Sequence, residues 1–463
     1  MVVVFVLVGV AALAVLGGFH RYAWRRLVRD TTAGPGTARR VGSAVFVAGP
    51  LLMLGAVVSE RAGAPFWLQR TLGWPGFLWM ALAVYLLLAL LVGELVRPLL
   101  RRALDRRAAT RRATGTGAGT GTDSEAVAHA ATSGPSRTPG ASAPTEPAPT
   151  EPAPTEPAST KAAEPAEPAA GGSVAAGDTA APVGGPLTAP SRRLFVSRVV
   201  GGAVAAAAVG TVGYGTYGVL RGPAVKRVTV PLAKLPRSAH GFRIAVVSDI
   251  HLGPVLGRGF AQKVVDTINS TQPDLIAVVG DLVDGSVKNL GPAAAPLAGL
   301  RARHGAYFVT GNHEYFSGAE QWLREVRELG IHPLENARTE LAGFDLAGVN
   351  DVQGESEGHG PDFGRALGDR DTARACVLLA HQPVQIHDAV RHGVDLQLSG
   401  HTHGGQLWPG NFIAAAANPT VAGLERYGDT QLYVSRGAGA WGPPTRVGAP
   451  SDITVVELAS REA

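Results

Sequence analysis

The sequence predicts an α/β domain of two β-sheets packed face to face with helices outside, preceded by a helical membrane region and a disordered linker. Three observations lead to this prediction. Long apolar runs flanked by arginines fill the first hundred residues, and a stretch rich in Pro, Ala and Thr follows them. From about Val228, apolar runs of strand length alternate with stretches that suit helices.

Residues 1–112 are the predicted transmembrane region. Three apolar runs, at 2–18, 41–58 and 77–96, approach the roughly 20 residues that are needed to cross a bilayer. Arginines crowd the segments after the first and third runs and are sparse between the second and third. The positive-inside rule therefore places those two basic segments in the cytoplasm and the N-terminus outside. Because the basic residues flank apolar runs, the net charge of +5 indicates a membrane surface and no nucleic-acid partner.

Residues 113–190 are the predicted linker. They contain the near-perfect repeat PTEPAPTEPAPTEPA and few large apolar side chains. Such a segment cannot bury enough apolar surface to offset the loss of chain entropy on folding. We expect a disordered tether.

The segment 191–221 has two interpretations. Ser191, Arg192, Arg193 and Phe195 fit the S-R-R-x-F pattern of a twin-arginine export signal, followed by a mildly apolar run. This resemblance would make the twin-arginine translocase a partner, although the segment is internal. A fourth membrane span with basic flanks explains the same residues. Both interpretations place the rest of the chain outside the cytoplasm.

Residues 226–460 are the predicted catalytic domain. Five apolar runs end in polar motifs, in FRIAVVSD, DLIAVVGD, GAYFVTGNHE, ARACVLLAHQP and VDLQLSGHTH, and their length fits strands buried on both faces. Helix-like stretches at 259–270 and 319–329 indicate largely parallel pairing. QLYVSRGAG and ITVVELA add later strands. The one cysteine, Cys376, lies in an apolar run and is expected to be a small buried hydrophobe.

Each of the five strands ends in side chains that bind divalent metals. The residues are Asp249 and His251, Asp281, Asn312 and His313, His381, and His401 and His403. Turn chemistry accounts for Asp and Asn but has no need of histidine. The set is too large for one ion with an open position and fits two ions about 3.5–4 Å apart, bridged by one carboxylate. These ligands accept Mn, Fe or Zn.

At this point the motifs resemble a known family. SDIHLG, GDLVDG, GNHE, AHQP and GHTHGGQ occur in this order within residues 240–410 and resemble the calcineurin-like metallophosphoesterases. GHTHGGQ and the later GAGAWGPPTRVGAPSDIT are similar to its membrane-anchored bacterial branch, which includes exported phosphoesterases and UDP-2,3-diacylglucosamine pyrophosphatase-like enzymes. The resemblance implies two mixed sheets flanked by helices and a two-metal site.

The resemblance also implies roles for the strand-end residues. Asp249, His251 and His403 would hold the first metal, and Asn312, His381 and His401 would hold the second. Asp281 would bridge both. A metal-bound hydroxide would be the nucleophile, and His313 would contact the scissile phosphate or protonate the leaving oxygen.

Several neighbouring residues have two interpretations. His313 could instead orient other groups. Glu314 either steers His313 or is a helix-start carboxylate. Asp284 is interpreted as a turn residue. Trp408 and Trp441 could line a lipid-facing mouth, but ordinary packing is the preferred interpretation.

The sequence therefore predicts a multi-pass, membrane-tethered phosphoesterase with an extracytoplasmic catalytic domain. It would use two divalent metal ions, most simply as a phosphodiesterase, on an envelope or lipid-linked phosphate ester. Two alternatives stay open. One is a pyrophosphatase acting on a UDP-diacylglucosamine-like lipid precursor, and the other is a non-catalytic sensor with the same fold.

Overall fold

Four long helices precede the two β-sheets in the chain. The computed structural model describes residues 2–115 and 191–461. The helices are α1 (Val2–Trp24), α2 (Thr37–Arg61), α3 (Phe66–Gly115) and α4 (Arg192–Leu220). Among the described residues, α2, α3 and α4 are long and apolar enough to cross a membrane.

The predicted apolar runs fall inside these helices. The run 2–18 lies in α1, 41–58 lies in α2, and 77–96 lies in α3. The segment 191–221 coincides with α4, and the Oγ atom of Ser191 caps that helix by accepting a hydrogen bond from the backbone N–H of Leu194 at 3.3 Å. The helix α3 ends at Gly115, three residues into the predicted linker. The rest of the predicted linker, 116–190, lies outside the described residues.

The C-terminal part forms two six-stranded sheets. Their strand orders are β1-β12-β2-β3-β4-β5 and β10-β11-β9-β8-β7-β6. The strands are β1 (Ala224–Leu232), β2 (Phe242–Val247), β3 (Leu275–Val279), β4 (Ala306–Val309), β5 (His332–Pro333), β6 (Ala337–Glu340), β7 (Phe344–Gly348), β8 (Ala375–Leu379), β9 (Leu396–Ser399), β10 (Gly423–Tyr427), β11 (Thr430–Val434) and β12 (Asp452–Ser460). The helices are α5 (Arg258–Ser270), α6 (Val287–Ala294), α7 (Asn312–Ser317), α8 (Ala319–Glu328), α9 (Phe363–Leu367), α10 (Ile386–Arg391) and α11 (Gly410–Ala417).

Both sheets are mixed, as the resemblance implies. Strands β2, β3, β4 and β5 pair in parallel in the first sheet, and β7, β8, β9 and β11 do so in the second. The pairs β12–β2, β6–β7 and β10–β11 are antiparallel. The predicted two-sheet α/β fold with largely parallel strands is therefore confirmed.

The main core lies between the two sheets. One apolar cluster contains Val246 and Val279 from the first sheet and Leu346, Leu379 and Leu398 from the second. Two further clusters fill the outer faces, where helices cover each sheet. Removing this apolar surface from water stabilises the layers. The thiol of Cys376 is fully buried on one of these outer faces, as predicted.

The strand β7 was not predicted. Its sequence FDLAG contains Asp345, which is fully buried and accepts a hydrogen bond from the Nε atom of Arg374 at 2.9 Å. A charge at the second position of a five-residue strand interrupts the apolar run from which a buried strand is recognised.

Candidate dimetal site

The predicted site residues meet where the two sheets adjoin. They follow the carboxyl ends of β2, β3 and β4 in the first sheet and of β8 and β9 in the second. The two groups of strand ends are hydrogen-bonded to each other. The backbone N–H of His401 donates to Asp249 at 3.0 Å, and the His381 ring nitrogen Nδ1 donates to the carbonyl of Val279 at 2.8 Å. Parallel strands end at one edge, and the packing of the sheets brings the two edges together.

The backbone at these strand ends is unusual. Five of the predicted ligands have φ angles between 49° and 72°, in the left-handed region that non-glycine residues seldom adopt: Asp249, His251, Asp281, His401 and His403. Such a conformation costs about 1–3 kcal/mol for each residue and persists where surrounding contacts impose it. The clustering of five such residues at one point indicates a functional site.

Three of the residues converge on one point. The Nε2 atoms of His251 and His403 are 3.0 Å apart, and Nε2 of His403 is 3.3 Å from Oδ1 of Asp249. All three side chains are buried. These are the residues that the sequence assigns to the first metal.

A second group lies beside the first. The Nδ1 atom of His401 is 3.0 Å from Oδ1 of Asn312, and Nε2 of His381 is 3.2 Å from Oδ2 of Asp281. The same Oδ2 atom lies 3.7 Å from Nε2 of His251, which belongs to the first group. Asp281 therefore adjoins both groups.

These distances fit two divalent metal ions. Two ligands at about 2.1 Å from one ion, at an angle near 90°, are separated by about 3.0 Å. The buried Nε2 atom of His381 faces Oδ2 of Asp281 at 3.2 Å, a separation expected of two ligands of one ion. Mixed carboxylate, amide and imidazole donors suit Mn, Fe and Zn alike.

The electrostatics place several of these residues in the protonation state that binds a metal. Burial, followed by the charge of His381, lowers the pKa of His401 to about 4. Burial, followed by the charges of His251 and Arg446, lowers the pKa of His403 well below its usual value. Burial alone would raise the pKa of Asp281, but His381 brings it well below the usual value. Two neutral imidazoles and one carboxylate thus face the site at neutral pH.

Asp284 lies in a bend, and its carboxylate also contacts two histidines of the site. Its Oδ1 atom accepts hydrogen bonds from Nδ1 of His251 at 2.9 Å and from Nδ1 of His313 at 2.7 Å. Burial would raise the pKa of Asp284, but the two histidines lower it to about 2. A bridge between Leu252 and Val283 aligns the two strand ends, and this alignment brings Asp284 against His251. The carboxylate holds the Nδ1 proton of His251, so that Nε2 faces the other ligands.

His313 lies at the mouth of the site. Burial alone would lower its pKa, but the hydrogen bond with Asp284 raises the pKa of His313 to about 9. Its ring centroid is 5.5 Å from that of Phe316 and 5.6 Å from that of Trp441. A partly exposed imidazolium between two aromatic side chains can bind a phosphoryl oxygen or donate a proton.

The structure decides between the two interpretations of Glu314. This buried carboxylate accepts hydrogen bonds from the backbone N–H groups of Gly311, Leu282 and Asp281, at 2.6, 2.8 and 3.0 Å. Glu314 is therefore a helix-start carboxylate that fixes the end of β3 to the start of α7. It holds the backbone of Asp281 and does not steer His313.

Sequence reasoning missed Arg446. Its buried guanidinium donates to Nδ1 of His403 at 3.1 Å, to the carbonyl of His403 at 3.0 Å and to the carbonyl of Gly439 at 2.6 Å. Burial lowers the pKa of Arg446 to about 10, so the group stays charged at neutral pH. The only signal in the sequence is its place in GAGAWGPPTRVGAPSDIT, 43 residues from His403.

Comparison with known proteins supports this picture. A family model for calcineurin-like phosphoesterases matches residues 242–405. An uncharacterized metallophosphoesterase of Helicobacter pylori strain J99 is 36% identical over 272 residues, which cover 58% of this chain and 73% of that protein. A transmembrane protein with metallophosphoesterase domain from Danio rerio is 39% identical over 259 residues, which cover 53% of this chain and 59% of that protein.

The likeness to solved structures is weaker. A dimetal phosphatase from Danio rerio aligns with a TM-score of 0.33 at 13% identity and covers 48% of this chain and 93% of its own. The chain spans less than two thirds of the length of the animal relatives that are called transmembrane proteins, at 59% and 57%.

Proposed function

This chain belongs to the calcineurin-like metallophosphoesterase family of metal-dependent phosphoester hydrolases, and we propose that it is a membrane-bound, two-metal phosphodiesterase. Asp249, His251 and His403 would hold one ion, Asn312, His381 and His401 would hold the other, and Asp281 is placed between the two groups. The observation that carries the proposal is the position of Asp281, whose Oδ2 atom lies 3.7 Å from Nε2 of His251 and 3.2 Å from Nε2 of His381.

The residues around the ions have separate tasks. Two divalent ions bound there supply Lewis acidity, which activates water and neutralises charge on the phosphoryl oxygens. Asp284 holds Nδ1 of His313, and the imidazolium of His313 then donates its remaining proton to the leaving oxygen. One imidazolium at the mouth matches the single negative charge of a phosphodiester. Arg446 positions His403 from behind.

We further propose that the catalytic domain lies outside the cytoplasm and acts on an envelope or lipid-linked substrate. Support comes from three helices of membrane-spanning length and from the arginines that follow residues 18 and 96. A periplasmic-active reporter fused after the C-terminus tests the orientation. Reporter activity only in the cytoplasm would overturn it.

The activity is tested on the full chain, because Val219 of α4 belongs to the core of the catalytic domain. We expect Mn²⁺-dependent hydrolysis of bis-p-nitrophenyl phosphate, faster than hydrolysis of p-nitrophenyl phosphate, and loss of this activity in Asp281→Asn. Asp345→Asn is the matched control, since it removes another fully buried carboxylate.

Other outcomes favour the alternatives. Turnover of a nucleotide-linked lipid pyrophosphate without turnover of the diester would favour the pyrophosphatase. Two bound metals without turnover of any of these esters would favour the sensor.

A further inference from the structure

We propose that Trp408 and the helix α11 insert into the acyl chains of the adjoining bilayer leaflet, and that the site therefore takes phosphoesters carried by membrane lipids. The second part of this inference rests on the proposed function. The first part rests on the surface of α11 and on its contacts with the membrane helices.

The helix α11 is apolar and uncovered. Its sequence is GNFIAAAA, without a charge, and none of its residues is buried. Phe412 and Ile413 are 66% and 77% exposed, and Trp408, just before the helix, is 51% exposed. A soluble surface seldom presents such neighbouring large apolar side chains, whereas a helix that lies in a membrane interface requires them.

The turn before α11 is fixed to α3 within its apolar stretch. The hydroxyl of Tyr85 donates to the carbonyl of Trp408 at 3.0 Å. Leu407 and Val447 pack against the apolar cluster of the membrane helices, which includes Tyr85 and Leu90. The segment that contains Leu407 and Trp408 thus contacts the part of α3 that the bilayer is expected to surround.

Helix geometry gives the depth of this contact. Glu94 pairs with Arg26 at 2.7 Å and with Arg97 at 3.1 Å, and the proposal takes this charged group as the level of one membrane surface. Tyr85 precedes Glu94 by nine residues, which is about 14 Å along a helix. The hydrocarbon core is about 30 Å thick, so Trp408 lies at the depth of the acyl chains.

A second contact with the membrane helices involves Thr445 and Arg446, which precede Val447, whose carbonyl accepts a hydrogen bond from the backbone N–H of Trp408 at 2.9 Å. The hydroxyls of Thr216 in α4 and Thr445 are 2.7 Å apart, and the N–H of Arg446 donates to the carbonyl of Gly215 at 3.3 Å. Arg446 in turn holds His403.

Aromatic side chains connect the inserted turn with the mouth of the site. Gln406 donates through Nε2 to the carbonyl of Trp441 at 2.9 Å and accepts from its N–H at 3.0 Å. Trp441 is 49% exposed and adjoins His313. Trp408 and Trp441 are thus packed over about half of their surface and leave the other half open to a lipid. A lipid whose chains lie beside α11 can therefore bring its phosphoester to His313.

Insertion is tested by depth-dependent fluorescence quenching. The full chain carries a nitrobenzoxadiazole label at Ile413→Cys and is reconstituted in nanodiscs with acyl-chain doxyl lipids. The control is Arg391→Cys, whose site on α10 is 63% exposed, and buried Cys376 serves as the background. We expect doxyl quenching at 413 and none at 391. Quenching at 413 by aqueous iodide alone would overturn the insertion.

Lipid access is tested separately in dodecyl maltoside micelles, which contain no phosphate. We expect phosphatidylglycerol to inhibit hydrolysis of bis-p-nitrophenyl phosphate at concentrations at least ~10-fold below those of glycerophosphoglycerol, which lacks the acyl chains. Phe412→Ser combined with Ile413→Ser should leave turnover of the soluble diester within ~2-fold and remove the difference between the two inhibitors, since it removes only the apolar contact.

The outcomes separate the two proposals. Equal inhibition by the two compounds in the unmodified chain would overturn lipid access. An unchanged difference in the double variant would overturn the role of α11. If the unmodified chain hydrolyses no soluble diester, the proposed function fails, while the quenching result still decides the insertion.

Discussion

Replacement of Asp284 by asparagine tests whether this carboxylate organises the site. The substitution keeps the size of the side chain and removes its charge. It weakens two hydrogen bonds, of 2.9 Å to His251 and 2.7 Å to His313. A charge-assisted hydrogen bond contributes about 1.5–3 kcal/mol, and the asparagine oxygen can still accept a weaker one. If the variant loses about as much free energy as one such bond contributes, its metal affinity or its kcat should fall by about 10- to 100-fold.

The loss should appear in two measurements. Since His251 is a proposed ligand, we expect Asp284→Asn to need a higher Mn²⁺ concentration for half-maximal activity. Since His313 is the proposed proton donor, kcat for bis-p-nitrophenyl phosphate should fall by ~10-fold or more even at saturating Mn²⁺. The assay is a Mn²⁺ titration of kcat and KM with the full chain, and metal content is measured on the same samples.

Asp345→Asn is the matched control for stability. The side chain of Asp284 is 9% exposed and that of Asp345 is fully buried, and each accepts a hydrogen bond from a nitrogen at 2.9 Å, but Asp345 bonds Arg374 within the second sheet. If Asp284 supports only the fold, the two variants should retain the same kcat. A kcat within ~2-fold of the unmodified chain at every Mn²⁺ concentration would refute the reasoning.

Three further predictions follow from the same contacts. Arg446→Met should weaken Mn²⁺ binding by ~10-fold, because His403 loses its hydrogen-bond donor. Competition with a fluorescent chelator measures this affinity, and an unchanged affinity would contradict the positioning role of Arg446. Gly311→Ala should abolish measurable turnover, because its Cβ would overlap the bridging carboxylate, whereas Gly259→Ala meets no atom within 4 Å and should retain activity. Burial raises the pKa of Cys376 to about 12, so its thiol should resist maleimide at pH 8 until the chain unfolds, and rapid labelling of the native chain would contradict this. The contribution of this thiol to the free energy of unfolding should be lost as the pH rises from about 9 towards 12.

The sequence predicts those parts of the site that depend on local pattern. An apolar run followed by Asp281 or His401 locates a strand end, and parallel pairing then brings such ends to one edge. The contact of Asp284 with His251 cannot be predicted from the sequence, because an aspartate after a strand fits a turn equally well and only the alignment of two strand ends brings the two residues together. Arg446 reaches His403 across 43 residues and Tyr85 reaches Trp408 across 323, distances at which one sequence carries no pairing signal.

The linker lies between two of the long helices and does not lead directly into the catalytic domain. Residues 116–190 stand between α3 and α4, not between the membrane region and the catalytic domain. After α4 ends at Leu220, only three residues precede β1, and Val219 is already part of the catalytic core. Phe66 at the start of α3 packs against the same core. If α3 and α4 cross a bilayer as proposed, a catalytic domain held by these contacts cannot move far along the bilayer normal. These contacts with the two helices are therefore the reason to propose a substrate that the membrane itself presents.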